Sequence, residues 1–124
     1  MEVGVITTRL LLLILSLESG VGNSDNGHAK GPLQIWPAVV EDVNRVYGTS
    51  FTWADCSSLQ KSNVICNLYL TWWGKVYEKR TGKKVSDEVL LRIWNGGPLG
   101  YKKKATDRYI RRAVEKGLRT LGQH

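Results

Sequence analysis

The sequence of 124 residues is long enough for one domain with a buried core and too short for two. A hydrophobic content of 42%, with five Trp and five Tyr, excludes a disordered chain. No apolar run approaches the roughly 20 residues that a membrane-spanning helix needs. The net charge is +7, and eight Lys or Arg lie between Tyr101 and His124. Such a basic surface attracts polyanions: nucleic acid, acidic lipid or an anionic cell wall.

Two helix signals stand in the first part of the chain. The run over residues 8–17 is apolar on nearly every face, which predicts either a buried helix or the apolar core of a secretory signal. A Gly- and Asn-rich loop follows over residues 20–27. Pro37 suits the first position of a second helix, in which valines recur at helical spacing up to Tyr47, and Gly48 ends it.

The next helix signals lie between residues 57 and 98. Apolar spacing predicts a third helix from Ser57 or Ser58 to Trp73, ended by Gly74. Residues 75–84 are polar and basic, with at most a short helical turn. Ser86 is expected to cap a fourth helix over residues 87–94, and Asn-Gly-Gly-Pro breaks the chain after it.

The last segment is basic and helical in pattern. Thr106 is expected to cap a helix with Ile110, Ala113 and Val114 directed inward. Strand signals are nearly absent, apart from a short extended piece at residues 50–53. We therefore predict a mainly α fold in a single domain over residues 1–124, with 1–7 as a lead-in and 101–124 as a basic C-terminal helix.

Cysteine and histidine residues give no metal or cofactor signal. Cys56 and Cys66 pair in a disulfide only if Cys56 precedes the third helix and its loop folds back, so their pairing stays open. His28 and His124 lie far apart, and no Cys/His spacing fits a zinc site. The sequence also lacks a phosphate-binding loop and a dinucleotide motif. We expect neither a metal nor a cofactor.

Glu18 ends the first apolar helix. Partial burial and the negative end of the helix dipole would both raise the pKa of its carboxyl group, as a general acid requires. The alternative, from position alone, is a solvated Glu at a helix end.

Four short motifs in order resemble the lysozyme-like lytic transglycosylases. They are an opening motif of Glu-Ser-Gly at 18–20 and Gly-Pro-Leu-Gln-Ile at 31–35, the helix segment at 36–45, Arg-Ile-Trp-Asn-Gly-Gly-Pro at 92–98 and Ala-Thr-Asp-Arg-Tyr at 105–109. The resemblance covers roughly residues 10–115. Invertebrate-type lysozymes share a related motif order, but this chain lacks their many cysteines.

The resemblance implies a lysozyme-like fold of about five to six helices and a peptidoglycan-cleaving enzyme. Glu18 would protonate the β-1,4 bond between N-acetylmuramic acid and N-acetylglucosamine and then act as base, closing a 1,6-anhydro ring as lytic transglycosylases do. A hydrolytic lysozyme would need a second carboxylate, for which Asp25 is the candidate. The alternative for Asp25 is an Asx-turn residue in the loop.

The same resemblance assigns substrate contacts to five further residues. Ser19 would orient the catalytic region, and the other four would contact the sugar from the cleft wall: Gln34, Asn95, Gly96 and Tyr109. The alternative for Gln34 is a loop residue whose side chain forms hydrogen bonds with backbone groups. The alternative for Tyr109 is an aromatic residue of the core.

The expected partner is the peptidoglycan glycan strand, bound by a monomer. The basic C-terminal helix could also hold anionic wall polymers, its alternative being a solvated helix face. A different class of function stays open: a non-enzymatic basic helical module that binds nucleic acid or cell wall. The enzyme interpretation implies no nucleic-acid partner.

The site of action would be the cell wall, the periplasm or the extracellular space. Gly20 and Gly22 stand at a suitable spacing for signal cleavage after residue 22. Glu2 weakens the positive bias that a signal needs, and cleavage would remove Glu18. We therefore interpret the apolar segment as a retained helix, which leaves the export route open.

Overall fold

The structure, a computed structural model, describes residues 6–19 and 28–117. Its five α-helices are α1 (Thr8–Ser19), α2 (Pro37–Tyr47), α3 (Leu59–Thr81), α4 (Asp87–Gly96) and α5 (Asp107–Glu115). Three short 3₁₀ turns lie at Trp53–Ser57, Gly100–Lys102 and Lys104–Thr106. Within the described ranges the only extended pairing is an isolated antiparallel bridge between Lys30 and Ile35. The prediction of a mainly α fold is confirmed.

The chain divides into two compact units. The central unit is Ile14–Tyr69, and the terminal unit combines Met1–Leu13 with Leu70–His124. The division falls inside α1 and inside α3, so each of these helices contributes to both units. The single-domain organisation stays a prediction.

The central unit has an apolar interior built from the end of α1, the loop after residue 28, α2 and the first half of α3. Its fully buried side chains include Ile14, Leu17, Leu33, Ile35, Ile65 and Cys66. Full burial of a Leu or Ile side chain stabilises a protein by about 1.5–3 kcal/mol. The Tyr47 hydroxyl, at the end of α2, donates a hydrogen bond to the Leu68 carbonyl at 3.0 Å. This bond fixes the end of α2 against α3.

The terminal unit has its own buried side chains, among them Leu70, Leu90, Leu91, Ile93, Ile110 and Ala113. Ser86 caps α4 as predicted, because its side chain accepts a hydrogen bond from the Val89 backbone N–H. Gly74 does not end α3, which continues to Thr81. A Cβ at Gly74 would lie 3.2 Å from Leu90 Cδ2, so this glycine allows α4 to approach the middle of α3 closely.

The extended piece predicted at residues 50–53 ends at Thr52, whose backbone is extended, and a 3₁₀ turn capped reciprocally by Thr52 and Asp55 follows over Trp53–Ser57. Two local predictions are wrong. Thr106 precedes α5 without capping it, since its hydroxyl donates to the Lys103 carbonyl at 2.7 Å. Val114 is 40% exposed, so it does not contribute to the interior.

Some predictions fall on residues that the structure does not describe. Asp25 and the loop over residues 20–27 lie outside the described residues, as do residues 118–124. The side chain of Ser19 also lies outside them.

The cysteines do not pair: Cys56 and Cys66 are both buried free thiols. Among the described helices none is both long and apolar enough to cross a membrane. The described residues also contain no group of three potential metal ligands.

Candidate functional site

Glu18 lies in the last turn of α1, directly after the fully buried Leu17. Its side chain is half-buried. Its carboxylate lies near the fully buried thiol of Cys66 on α3. Burial, and to a smaller degree the charge of Glu18, raise the pKa of that thiol. Cys66 therefore stays protonated near neutral pH, and Glu18 directs its charge toward the interior of the central unit.

The Gly-Pro-Leu-Gln-Ile segment forms a tight turn in the same unit. Two hydrogen bonds of 2.9 Å join the backbones of Lys30 and Ile35 and close it. Gly31 has a φ of +82°, and a Cβ there would lie only 1.7 Å from the Cys56 carbonyl oxygen. Only glycine fits this position, so the turn is held tightly against the 3₁₀ turn that contains Cys56.

Gln34 is the most unusual residue of this turn. Its φ is +53°, the only positive value among the described residues other than glycine. A left-handed conformation in a residue other than glycine typically costs about 1 kcal/mol or more. Its backbone N–H and its side-chain Nε2 both donate to the Gly31 carbonyl, at 3.0 and 2.9 Å. The strained backbone thus aims the Gln34 side chain in one fixed direction.

The second polar atom of the Gln34 amide has no partner among the described residues. Gln34 is only 9% exposed, and its Oε1 atom is buried without a hydrogen bond. Reversing the amide would bring Oε1 against the Gly31 carbonyl oxygen, so the assignment of the two atoms is fixed by that contact. A buried acceptor without a donor is rare in native proteins, and either a buried water molecule or an external N–H or O–H group can complete this one.

Exposed and partly buried aromatic and cationic side chains flank this turn. Trp36 is 47% exposed, and its ring lies 5.7 Å from that of His28. Lys30 places its ammonium group 5.6 Å from the centre of the Trp53 ring. Trp is enriched among the residues that dominate protein–protein binding energy. We call Gln34 and these four residues the Gln34 surface.

The other predicted site residues belong to the terminal unit. Asn95 is exposed in the last turn of α4, whereas Tyr109 is buried in α5 at 5% exposure. A Cβ at Gly96 would lie 2.7 Å from the Thr106 Cγ2 methyl group, so close packing explains this glycine. Within its own unit Tyr109 has the burial expected of a core aromatic.

Arg92 organises the terminal unit, and the sequence analysis did not identify its role. It donates to Asp107 Oδ1 at 2.6 Å, to Thr106 Oγ1 at 2.8 Å and to Glu88 Oε2 at 3.1 Å. Partial burial acts to lower the pKa of Arg92, but the hydrogen bonds to Asp107 and Glu88 raise it overall. The i,i+4 spacing of Glu88 and Arg92 was the one available sequence signal.

Two solved structures resemble this chain. One is the crystal structure of Aeromonas hydrophila PliI in complex with Meretrix lusoria lysozyme, with a TM-score of 0.69, 29% identity, and coverage of 92% of this chain and 93% of the matched chain. The other is the crystal structure of inhibitor-bound lysozyme from Meretrix lusoria, with a TM-score of 0.69, 28% identity and the same coverage. No protein-family model and no curated protein matches the chain.

These comparisons support a lysozyme-like or lysozyme-inhibitor fold, and the first of the two similar structures contains PliI together with a lysozyme. They correct the prediction of a peptidoglycan-cleaving enzyme, whether lytic transglycosylase or muramidase. Both similar structures contain a lysozyme bound to an inhibitor, and they do not support a glycosidase assignment for this chain. Neither the hydrolytic alternative nor the nucleic-acid alternative is directly supported. A shared helical frame can place a Glu at a helix end without fixing its chemistry, which explains how the motifs misled.

Proposed function

We propose that this chain is the binding partner of another protein in a complex of the lysozyme–inhibitor kind. The observation that carries the proposal is Gln34, whose strained backbone holds a buried Oε1 that accepts no hydrogen bond from any residue that the structure describes. A polar atom of this kind destabilises the free chain and is satisfied when a donor arrives, which is the behaviour of a recognition residue.

The surroundings of Gln34 favour a protein over a small ligand. The exposed Trp36 offers a large apolar area, and Lys30 offers a positive charge beside the Trp53 ring. A partner loop can cover Trp36, and its backbone N–H can donate to Gln34 Oε1 once the turn opens, because that atom is buried in the free chain. An aromatic anchor beside a fixed polar contact is the common composition of the centre of a protein interface.

The order of motifs favours the lysozyme-like side of such a complex. Glu-Ser-Gly at 18–20, Gly-Pro-Leu-Gln-Ile at 31–35 and Asn-Gly-Gly-Pro at 95–98 resemble invertebrate-type lysozymes. The chain is therefore expected to bind an inhibitor such as PliI. This proposal concerns binding and assigns no catalytic step.

Calorimetric titration against two purified proteins tests the proposal. Aeromonas hydrophila PliI is expected to bind the chain with one-to-one stoichiometry and a Kd in the micromolar range or below. Binding to Meretrix lusoria lysozyme instead, with loss of its lytic activity, would support the same kind of complex with this chain on the inhibitor side. Absence of binding to both proteins would overturn the proposal.

A parallel reaction with purified peptidoglycan keeps binding and catalysis apart. Muropeptide release by the wild-type chain that disappears in Glu18→Gln would identify the chain as a peptidoglycan-cleaving enzyme and overturn its assignment as a binding partner. Loss of PliI binding in Glu18→Gln, without any release by the wild type, would instead place Glu18 on the binding surface.

Glu18, Ser19 and Asp25 of the central unit are proposed as further contacts of the same partner or of glycan, and Asn95 as a separate contact on the terminal unit. Packing already accounts for Gly96, and burial in the interior of its unit for Tyr109. We place the site of action in the periplasm or outside the cell, where a partner of this kind meets cell-wall material, and we propose a monomer as the binding unit. Peptidoglycan strands stay a predicted partner.

A further inference from the structure

A polar groove in the terminal unit lies between α4 and the start of α5. Its volume is about 400 Å³, which lies within the usual range of ligand sites. Three consecutive lysines of the 3₁₀ region, Lys102, Lys103 and Lys104, form one wall together with Tyr101. Glu88, Arg92 and Asp107 form the other wall.

The wall that contains Arg92 is a fixed framework. Nη1 of Arg92 donates to Asp107 at 2.6 Å, and its Nη2 lies 3.0 Å from Glu88 Oε2. The Arg92 side chain is only 17% exposed. Two carboxylates already neutralise the charge of Arg92, so this residue stabilises the groove and does not bind an anion itself. The lysines are the residues available to bind an anion.

The lysine wall carries the available charge. Lys103 donates to the Gly96 carbonyl at 2.8 Å, which ties this wall to the end of α4. Lys102 and Lys104 are exposed and form no ion pair with any residue that the structure describes. The Tyr101 ring is held edge-on by Tyr77, with ring centres 4.8 Å apart and planes at 87°. The groove therefore presents unneutralised ammonium groups beside a fixed aromatic ring.

The mixed charge of the groove indicates which anion fits. Four cationic side chains and two carboxylates line it, so the ligand must bring negative charge and also tolerate Glu88 and Asp107. A polyphosphate has no N–H groups that could donate to Glu88 or Asp107. An acidic peptide carries carboxylates for the lysines and backbone N–H groups that donate to Glu88 or Asp107.

We propose that this groove binds an acidic peptide segment of a protein partner, with Lys102 and Lys104 as the residues that recognise its carboxylates. The proposal does not depend on the Gln34 surface, since all residues of the groove belong to the terminal unit. It goes beyond the proposed function because it adds a second binding site and the chemistry of its ligand.

The test uses the full chain and a fluorescently labelled hexaglutamate peptide, followed by fluorescence anisotropy. Lys102→Glu/Lys104→Glu is expected to weaken peptide binding at least tenfold. The matched control is Lys83→Glu/Lys84→Glu, which makes the same change of net charge at another surface of the same unit. This control is expected to weaken binding less than threefold. Circular dichroism checks that both variants keep their helices.

Two results would overturn the proposal. Equal loss of binding in both double variants would show a response to net charge alone. Tighter binding of a polyphosphate chain with the same charge as the peptide would show that the groove recognises an anionic polymer and not a peptide.

Discussion

Two regions of the molecule differ in whether their polar side chains are fully hydrogen-bonded. They are the cluster around Arg92 and the turn that holds Gln34. Arg92 directs its donors to Glu88, Thr106 and Asp107. Gln34 uses its Nε2 and leaves its Oε1 without a donor among the described residues. A satisfied cluster stabilises the fold, whereas an unsatisfied atom held in a strained turn costs stability. The comparison separates a structural role for Arg92 from a recognition role for Gln34.

The largest loss of stability is expected from a substitution at Gly31, where the Gln34 turn leaves no space for a side chain. Gly31→Ala would place a Cβ 1.7 Å from the Cys56 carbonyl oxygen at a φ of +82°. We expect a loss of about 3 kcal/mol or more in the free energy of unfolding, measured by urea denaturation. Gly48→Ala is the matched control, because Gly48 has a φ of +68° and nothing within 4 Å of the new Cβ. It should cost only about 1 kcal/mol. Equal losses would show that the contact with Cys56 does not matter.

The second largest loss of stability is expected from Arg92→Met, which tests whether Arg92 stabilises the fold. Arg92→Met leaves two carboxylates and the Thr106 hydroxyl without their shared donor, and we expect a loss of about 2–3 kcal/mol in the free energy of unfolding. Arg45→Met removes an ion pair with Asp42 in which the Arg45 side chain is 67% exposed. It should cost less than about 1 kcal/mol. If Arg92→Met lowers the free energy of unfolding no more than Arg45→Met does, Arg92 has no structural role and does not differ from Gln34 in this respect.

A smaller effect is expected at Gln34 itself. Gln34→Met loses the hydrogen bond to Gly31 but also removes the unsatisfied Oε1, so the free energy of unfolding should change by less than about 1 kcal/mol. Gln34→Glu places a carboxylate at a position only 9% exposed and should be the less stable of the two variants. If Gln34→Met costs as much as Arg92→Met, Gln34 is a structural residue.

The smallest effect concerns acid stability, where one carboxylate of each unit should respond with opposite sign. A hydrogen bond from the Thr52 backbone N–H, supported by Lys61, lowers the pKa of Asp55. Its folded pKa lies below its unfolded pKa, so its contribution is present above about pH 4 and is lost as the pH falls through the folded value. Burial raises the pKa of Asp87. Its contribution is present below about pH 4 and is lost as the pH rises through its folded pKa.

Urea denaturation between pH 2 and about pH 6 compares the two carboxylates. Asp55→Asn should reduce the loss of stability on acidification, and Asp87→Asn should increase that loss. The same response in both variants would contradict the assigned causes.

Local chemistry explains how far the sequence could be interpreted. The start of α2 at Pro37, its end at Gly48 and the Ser86 cap were predictable, because each depends on residues within one turn. The passage of α3 through Gly74 was not, because the reason is the packing of Leu90 from a later helix. Gln34 was found by motif, but its strained backbone and unsatisfied oxygen depend on contacts with Gly31 that no spacing reveals. Arg92 joins residues 14 and 15 positions away, beyond the range of helical periodicity.

The function was mispredicted for a related reason. The four motifs indicated a lysozyme-like frame, and the similar solved structures support a lysozyme-like or lysozyme-inhibitor fold. The motifs did not contain the information that separates a chain that cuts glycan from a chain that binds a protein, because that difference lies in what docks on the surface.

Calorimetric titration of PliI into three forms of the chain tests the central claim most directly. The wild type and Arg45→Met should bind with the same Kd, and Gln34→Met should bind at least tenfold more weakly, because it no longer offers an acceptor for the partner's N–H group. Equal affinity of all three forms, or no binding by the wild type, would contradict the claim that Gln34 marks the surface through which this chain binds a protein partner.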